Sequence, residues 1–161
     1  MTFTADALKT LYGYNAALLN RQLEGMTHAH SLMQLPFEGN CLNWVVGHLI
    51  SSRIRALELV GEQPVWTDAE RARYRFGSAP IREDGPGVLP LETLCDTFNE
   101  SQVRLLRGLD RSTPERLAEP SSFRGQTVGG SLAYFQFHEA HHIGQMTLLG
   151  PLAGFPGAWL T

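Results

Sequence analysis

Between Glu62 and Pro90 the chain reads EQPVWTDAERARYRFGSAPIREDGPGVLP, and this stretch decides the fold. Pro64, Gly77, Pro80, Gly85, Pro86, Gly87 and Pro90 prevent a continuous helix, because proline lacks the backbone donor a helix needs and glycine leaves the chain loose. Helical periodicity flanks the segment on both sides. Antiparallel neighbours need only a short link, whereas a connection this long can run the height of a twenty-residue helix, about 30 Å. It reads as a crossover that leaves the helices before and after it parallel. Within it, Thr67 to Arg75 can form one short helix bearing Arg71, Arg73 and Arg75. Solvation is the simpler reading of those arginines, against a role in attracting an anionic substrate.

Outward from the crossover, the preceding helix begins near Asn40, a good capping residue. It runs through Leu42, Val45, Leu49, Ala56 and Val60 to Gly61. The following one spans about Leu91 to Leu109, with Leu91, Leu94, Cys95, Phe98, Leu105 and Leu109 on one face. The first helix occupies residues 4 to about 27 behind a Thr4 cap. The last is capped by Thr127 or Ser131 and stops at Gly150-Pro151. Only Phe123 to Val128 could pass for a short extended hairpin, around Gly125. The expectation is one all-α domain over residues 1–161: a four-helix bundle with a long crossover between its second and third helices.

The chain has 161 residues, 43% hydrophobic and 18% charged, which is ordinary for a soluble globular protein. Its 13 basic and 16 acidic residues give a formal charge of −3, so no positive field favours a phosphate backbone and nucleic acid is not an expected partner. No apolar run approaches a membrane span, and Asp6 and Lys9 interrupt the opening residues, so the chain reads as cytoplasmic. Cys41 and Cys95 are too few for a disulfide framework and read as packing residues.

The last helix carries His138-Glu139-Ala140-His141-His142. Positions four apart differ by about 40° around a helix, so the rings of His138 and His142 can converge on one ion. The string also matches His-Glu-x-x-His, in which the glutamate is a protease's general base. Residues 143–161 contain no histidine, aspartate, glutamate or cysteine, so a third ligand must come from upstream, and the protease reading weakens. His48, in the middle of the second helix among apolar neighbours, is the best candidate. His28 and His30, at the end of the first helix, read as solvent-exposed, and His141 as lying beside the site or on the surface. Gln145 shares the metal-facing side and can orient a bound ligand or solvent. Glu139, about 100° from His138, can hold a ring N–H of a ligand, although exposure is the simpler expectation.

Asn43-Trp44-Val45-Val46-Gly47-His48-Leu49 and His138-x-x-x-His142-x-Gly144-Gln145 together resemble the DinB-like (DinB/YfiT) superfamily. The resemblance covers the whole chain. It implies a four-helix bundle with a long connection between helices two and three. It also implies a divalent metal held by three histidines, here His48, His138 and His142, with zinc expected first and nickel second. It further implies two activities: thiol S-transfer with a small-molecule thiol of the bacillithiol or mycothiol kind and an electrophilic substrate, or metal-dependent hydrolysis. Thiol transfer is favoured, since no residue clearly supplies a hydrolase's base. A non-catalytic metal-binding stress-response protein is the alternative from another class. The uncharged segment Leu152 to Leu160, with Phe155 and Trp159, is a candidate homodimer contact.

Overall fold

The computed structural model describes residues 3–36, 38–152 and 154–155. Among these the chain forms α1 (Ala5–Leu23), α2 (His28–Ser31), α3 (Leu42–Leu59), α4 (Asp68–Tyr74), α5 (Leu91–Asp110), α6 (Pro114–Ala118) and α7 (Val128–Leu152). The fold is all-α. Four long helices, α1, α3, α5 and α7, make the bundle.

Side-chain ties fix the direction of each helix. Asn43 donates to the carbonyl of Leu89 just before α5, Arg53 reaches Ser101, and Val60 packs on Gly108. These pairs ascend together, so α3 and α5 are parallel, as the crossover requires. Tyr12 donates to the Leu132 carbonyl, Asn15 to that of Gln136, and Gln22 to Thr147, so α1 and α7 are also parallel. Lys9 meets Asp110 while Asn20 meets Asn99, so α1 opposes α5. The topology is up, down, down, up.

The helix ends follow local chemistry. Thr4 accepts from the Ala7 N–H at 3.2 Å and caps α1. Gly25, at φ +76°, ends the first helical segment earlier than residue 27, and a Thr27-capped turn, α2, follows. At the start of α3 Cys41 holds the capping position rather than Asn40 and makes no side-chain cap bond. Thr127 caps α7 by accepting from Gly130. Residues 123–128 form no hairpin: a single bridge joins Pro120 and Thr127, and Arg124 and Gly125 turn the chain at positive φ.

Apolar side chains fill two core regions. One gathers the C-terminal half of α1 with Val45, Leu49 and Ile54 of α3, Leu94 and Phe98 of α5, and Ile143 and Met146 of α7. The other holds Leu8, Tyr12, Leu57, Leu105 and Leu132. Between them lies a buried polar layer with one residue from each long helix: Asn15, Arg53, Ser101 and Glu139. Arg53 donates from Nε and Nη2 to Glu139 at 3.0 and 2.6 Å, and from Nη1 to Ser101 and the Phe98 carbonyl. Its guanidinium also lies 3.8 Å from the centre of the Phe98 ring.

The crossover returns along α3. Glu62 accepts from Arg107 of α5 and from Arg111 just after it, α4 packs on α3 through the fully buried Tyr74, and Ile81 is buried beyond it. No helix among the described residues is long and apolar enough to cross a membrane. Of the segment 152–160, the described residues are 152, 154 and 155; Trp159 lies outside them.

Candidate metal centre

The imidazole of His48 meets those of His138 and His142 where α3 and α7 cross. Ring centroids are 5.2 Å apart for His48 and His138, 4.9 Å for His48 and His142, and 4.5 Å for His138 and His142. One nitrogen from each ring lies within 4.8 Å of the others. Nε2 of His138 and Nε2 of His142 are 3.1 Å apart. Two lone pairs at that distance repel unless a proton or a cation lies between them. Both nitrogens can sit at a zinc bond length of about 2.0–2.1 Å from one point, since twice that length exceeds their separation. Nδ1 of His138 is buried without a hydrogen-bond partner.

Each outer ring is oriented by a specific contact. His48 Nδ1 is 3.0 Å from the Tyr74 carbonyl, which can only accept, so the proton sits on Nδ1 and Nε2 is left free. His142 Nδ1 lies 2.7 Å from Gln145 Oε1, which fixes the same tautomer. Burial pushes the His48 imidazole below its ordinary value. Burial, with the neighbouring imidazoles adding to it, lowers both His138 and His142 to about 4. All three rings are therefore neutral at physiological pH, the state that binds a cation.

The stretch Asn43-Trp44-Val45-Val46-Gly47-His48 builds the brace around the first ligand. Trp44 stacks on the His48 ring at 4.7 Å and 11° and donates Nε1–H to Ser78 of the crossover. Tyr74 donates its hydroxyl to Asn43 Oδ1 and accepts from the Leu89 N–H. A Cβ at Gly47 would overlap the Tyr74 ring, so only glycine lets α4 approach this closely.

A cleft of about 600 Å³ opens onto the three histidines, walled by Trp44, Phe76, Leu148, Leu149 and Leu152, with His141 and Gln145 at its edge. Phe76 is 90% exposed and Leu148 71%. No fourth histidine, cysteine, aspartate or glutamate joins the three among the described residues. Glu38 also lines the cleft but lies outside the cluster.

Residues 6–146 match the sequence profile of the DinB superfamily. The chain belongs to the DinB superfamily. No curated protein matches it. The DinB-type expectation that His48, His138 and His142 come together agrees with the geometry, and the cluster fits a divalent metal site. Gln145 touches a cluster ring, as its spacing suggested. Glu139 does neither thing expected of it: it is 3% exposed, turned away from the histidines, and bound to Arg53. Burial pushes its carboxyl up while the guanidinium draws it back. It is neither a surface residue nor a base beside the site. His28 and His30 are half-buried rather than free in solvent: His28 Nδ1 accepts from the Leu91 N–H, and His30 Nδ1 accepts from the Thr27 N–H and faces Phe155. Neither joins the cluster. Cys41 is buried and also outside it.

Sequence reasoning missed Tyr74 and Arg53. One signal for the latter was present: Glu139 is the sole aspartate, glutamate, lysine or arginine in α7, and Arg53 is the first in α3. A charge set among apolar neighbours on each of two packed helices needs a partner, and these two can supply one another.

Proposed function

We propose that the chain is a metal-dependent thiol S-transferase whose His48, His138 and His142 hold a divalent cation, zinc in the first instance, with a coordination position left for substrate. The observation that carries this reading is the set of three neutral imidazoles, without a fourth protein ligand among the described residues, at the floor of an open apolar cleft. A cation bound there would lower the pKa of a thiol placed on it and so supply a nucleophile near neutral pH. In the overall reaction the S–H and carbon–leaving-group bonds break, an S–C bond forms, and the proton departs with the leaving group. The chain's own residues orient and shield. The Tyr74 carbonyl and Gln145 amide fix the two outer rings with Nε2 facing inward. Trp44, Phe76 and Leu148 offer an apolar wall for the electrophile.

Hydrolysis is the weaker reading because Glu139, next to His138 in sequence, is committed to Arg53, and Glu38, the carboxylate that lines the cleft, lies outside the histidine cluster. The test is metal analysis of the purified native protein together with conjugation of a small thiol to 1-chloro-2,4-dinitrobenzene, in the native chain and in His142→Ala. The expected result is about one divalent ion per chain and measurable conjugation. Loss of one of three ligands lowers metal occupancy and conjugation together. Full metal loading of His142→Ala, or a metal-loaded native protein without conjugation, overturns the reading.

A further inference from the structure

A helix packed on one side and wet on the other carries charge on its wet side, and α5 does so with Glu92, Asp96, Glu100, Arg104, Arg107 and Asp110. The last helix, α7, does not. Glu139 is its sole aspartate, glutamate, lysine or arginine and is buried on Arg53, so a helix of 25 residues turns no such side chain to solvent. Beside it, α1 carries none between Lys9 and Arg21. Five of the eight large apolar side chains exposed among the described residues lie on these two helices: Leu11, Tyr14, Phe137, Leu148 and Leu152. A single exposed apolar residue needs no explanation, whereas a face without charge across two neighbouring helices does.

These residues share one surface. Phe137, His141, Gly144 and Leu148 are all exposed and fall within about 60° of one another around α7. On α1, Asn15 and Gln22 reach α7 while Lys9 and Asn20 reach α5, which places Leu11, Tyr14 and Leu18 on the side that adjoins this row. Gly144 stands in the middle of it. A Cβ there would meet nothing within 4 Å, so no contact inside the chain requires glycine, although glycine weakens a helix interior.

We infer that a second copy of the chain covers this face, with the α7 helices of the two molecules crossing antiparallel between His141 and Gly144. The row advances by four, three and four residues, so its spacing reads alike from either end. A two-fold axis at its middle sets Phe137 of each copy against Leu148 of the other, and His141 against Gly144, whose missing side chain leaves room for the ring. An isologous contact requires this self-complementarity. Two helices side by side over the length from Ala133 to Leu152 offer about 600 Å² per copy, or about 1,200 Å² in a pair, the low end of stable specific interfaces. A lipid surface fits less well. Interfacial helices carry lysine and arginine beside their apolar face, and here the basic residues of α1 and α7 are Lys9, tied to Asp110, and Arg21, in a chain of net charge −3. Leu148 also walls the metal cleft, so Phe137 of the second copy extends that wall. The inference does not depend on which reaction the cleft performs.

Sedimentation velocity of the full chain at micromolar concentration is the test, and it needs neither metal nor turnover. The native chain should sediment at twice the 17.9 kDa of one copy. Tyr14→Lys/Phe137→Lys puts charge on both helices at exposed positions and should weaken the dimer about tenfold or more. Gly144→Leu fills space that is open in a single copy, so it should keep native helical content by circular dichroism while losing the dimer. Val103→Lys, on the exposed side of α5, is the control and should dimerise like the native chain. A monomeric native chain overturns the inference, and co-sedimentation of that monomer with phosphatidylglycerol vesicles would give the face to a lipid surface. A dimer that survives both the double variant and Gly144→Leu is built on another face and overturns it as well.

Discussion

Gly47 carries no side chain, and the ring of Tyr74 occupies the space where one would stand. That contact lets the carbonyl of Tyr74 reach Nδ1 of His48, so one missing methyl group bears on the orientation of a candidate ligand. In Gly47→Ala the Tyr74 ring has to move. Overpacking of this kind costs about 1–3 kcal/mol, and loss of a ligand's outer hydrogen bond typically weakens metal binding about 10–100-fold. Urea unfolding and zinc titration of the variant measure the two effects separately. Undiminished zinc affinity in a destabilised Gly47→Ala would mean that Tyr74 packs against His48 without positioning it. At this scale the sequence was partly legible. Spacing alone paired His138 with His142, because a helix brings residues four apart together whatever surrounds it. Tyr74 could not be found that way: its role depends on a backbone carbonyl, which no residue identity announces.

Among the elements, α7 carries both the paired histidines and the carboxylate that locks it to α3. His138 and Glu139 are adjacent in sequence, about 100° apart around the helix, and face different neighbours. The histidine looks toward the cleft and the glutamate toward Arg53 in the polar layer. Periodicity gives that angle but not which helix will cover each side, and for this reason Glu139 was misplaced. Removing one member of a buried pair leaves the other charge uncompensated, at a cost of about 3–5 kcal/mol. Glu139→Gln should lose stability on that order, and Arg53→Met in the same chain should recover part of it. Metal content per folded molecule should match the native protein in both variants. A Glu139→Gln protein of native stability that no longer takes up metal would return the glutamate to the site.

The whole molecule is closed by the crossover, whose path was the most legible feature of the sequence. Its length and its prolines and glycines demanded parallel α3 and α5, and the ties from Asn43 to Leu89 and from Val60 to Gly108 show that arrangement. Which residue of the crossover would stand against His48 was not legible, since that depends on how Tyr74 seats α4. At the start of the crossover, Glu62 accepts from Arg107 and Arg111 at 2.5 Å each, and these contacts hold its carboxyl down to about 2 from an ordinary 4.5. A depressed carboxyl contributes its full stability above the unfolded value and loses it as pH falls from about 4.5 through about 2. Glu62→Gln should therefore unfold at lower urea than the native chain at pH 7, with the gap closing as pH approaches 2. A gap that stays constant across that window would show that the two arginines do not stabilise the fold through the ionised carboxylate.

The segment from Glu62 to Pro90 does more than span a distance. It supplies the carbonyl behind His48, the hydroxyl beneath Trp44 and the Phe76 wall of the cleft. The imidazoles stand on α3 and α7, while much of what surrounds them belongs to a connection anchored in the core by Trp66, Tyr74 and Ile81. Substitutions in this stretch can therefore reshape the cleft through Phe76 while Tyr74 stays seated, whereas a change that unseats Tyr74 is felt at the imidazoles themselves.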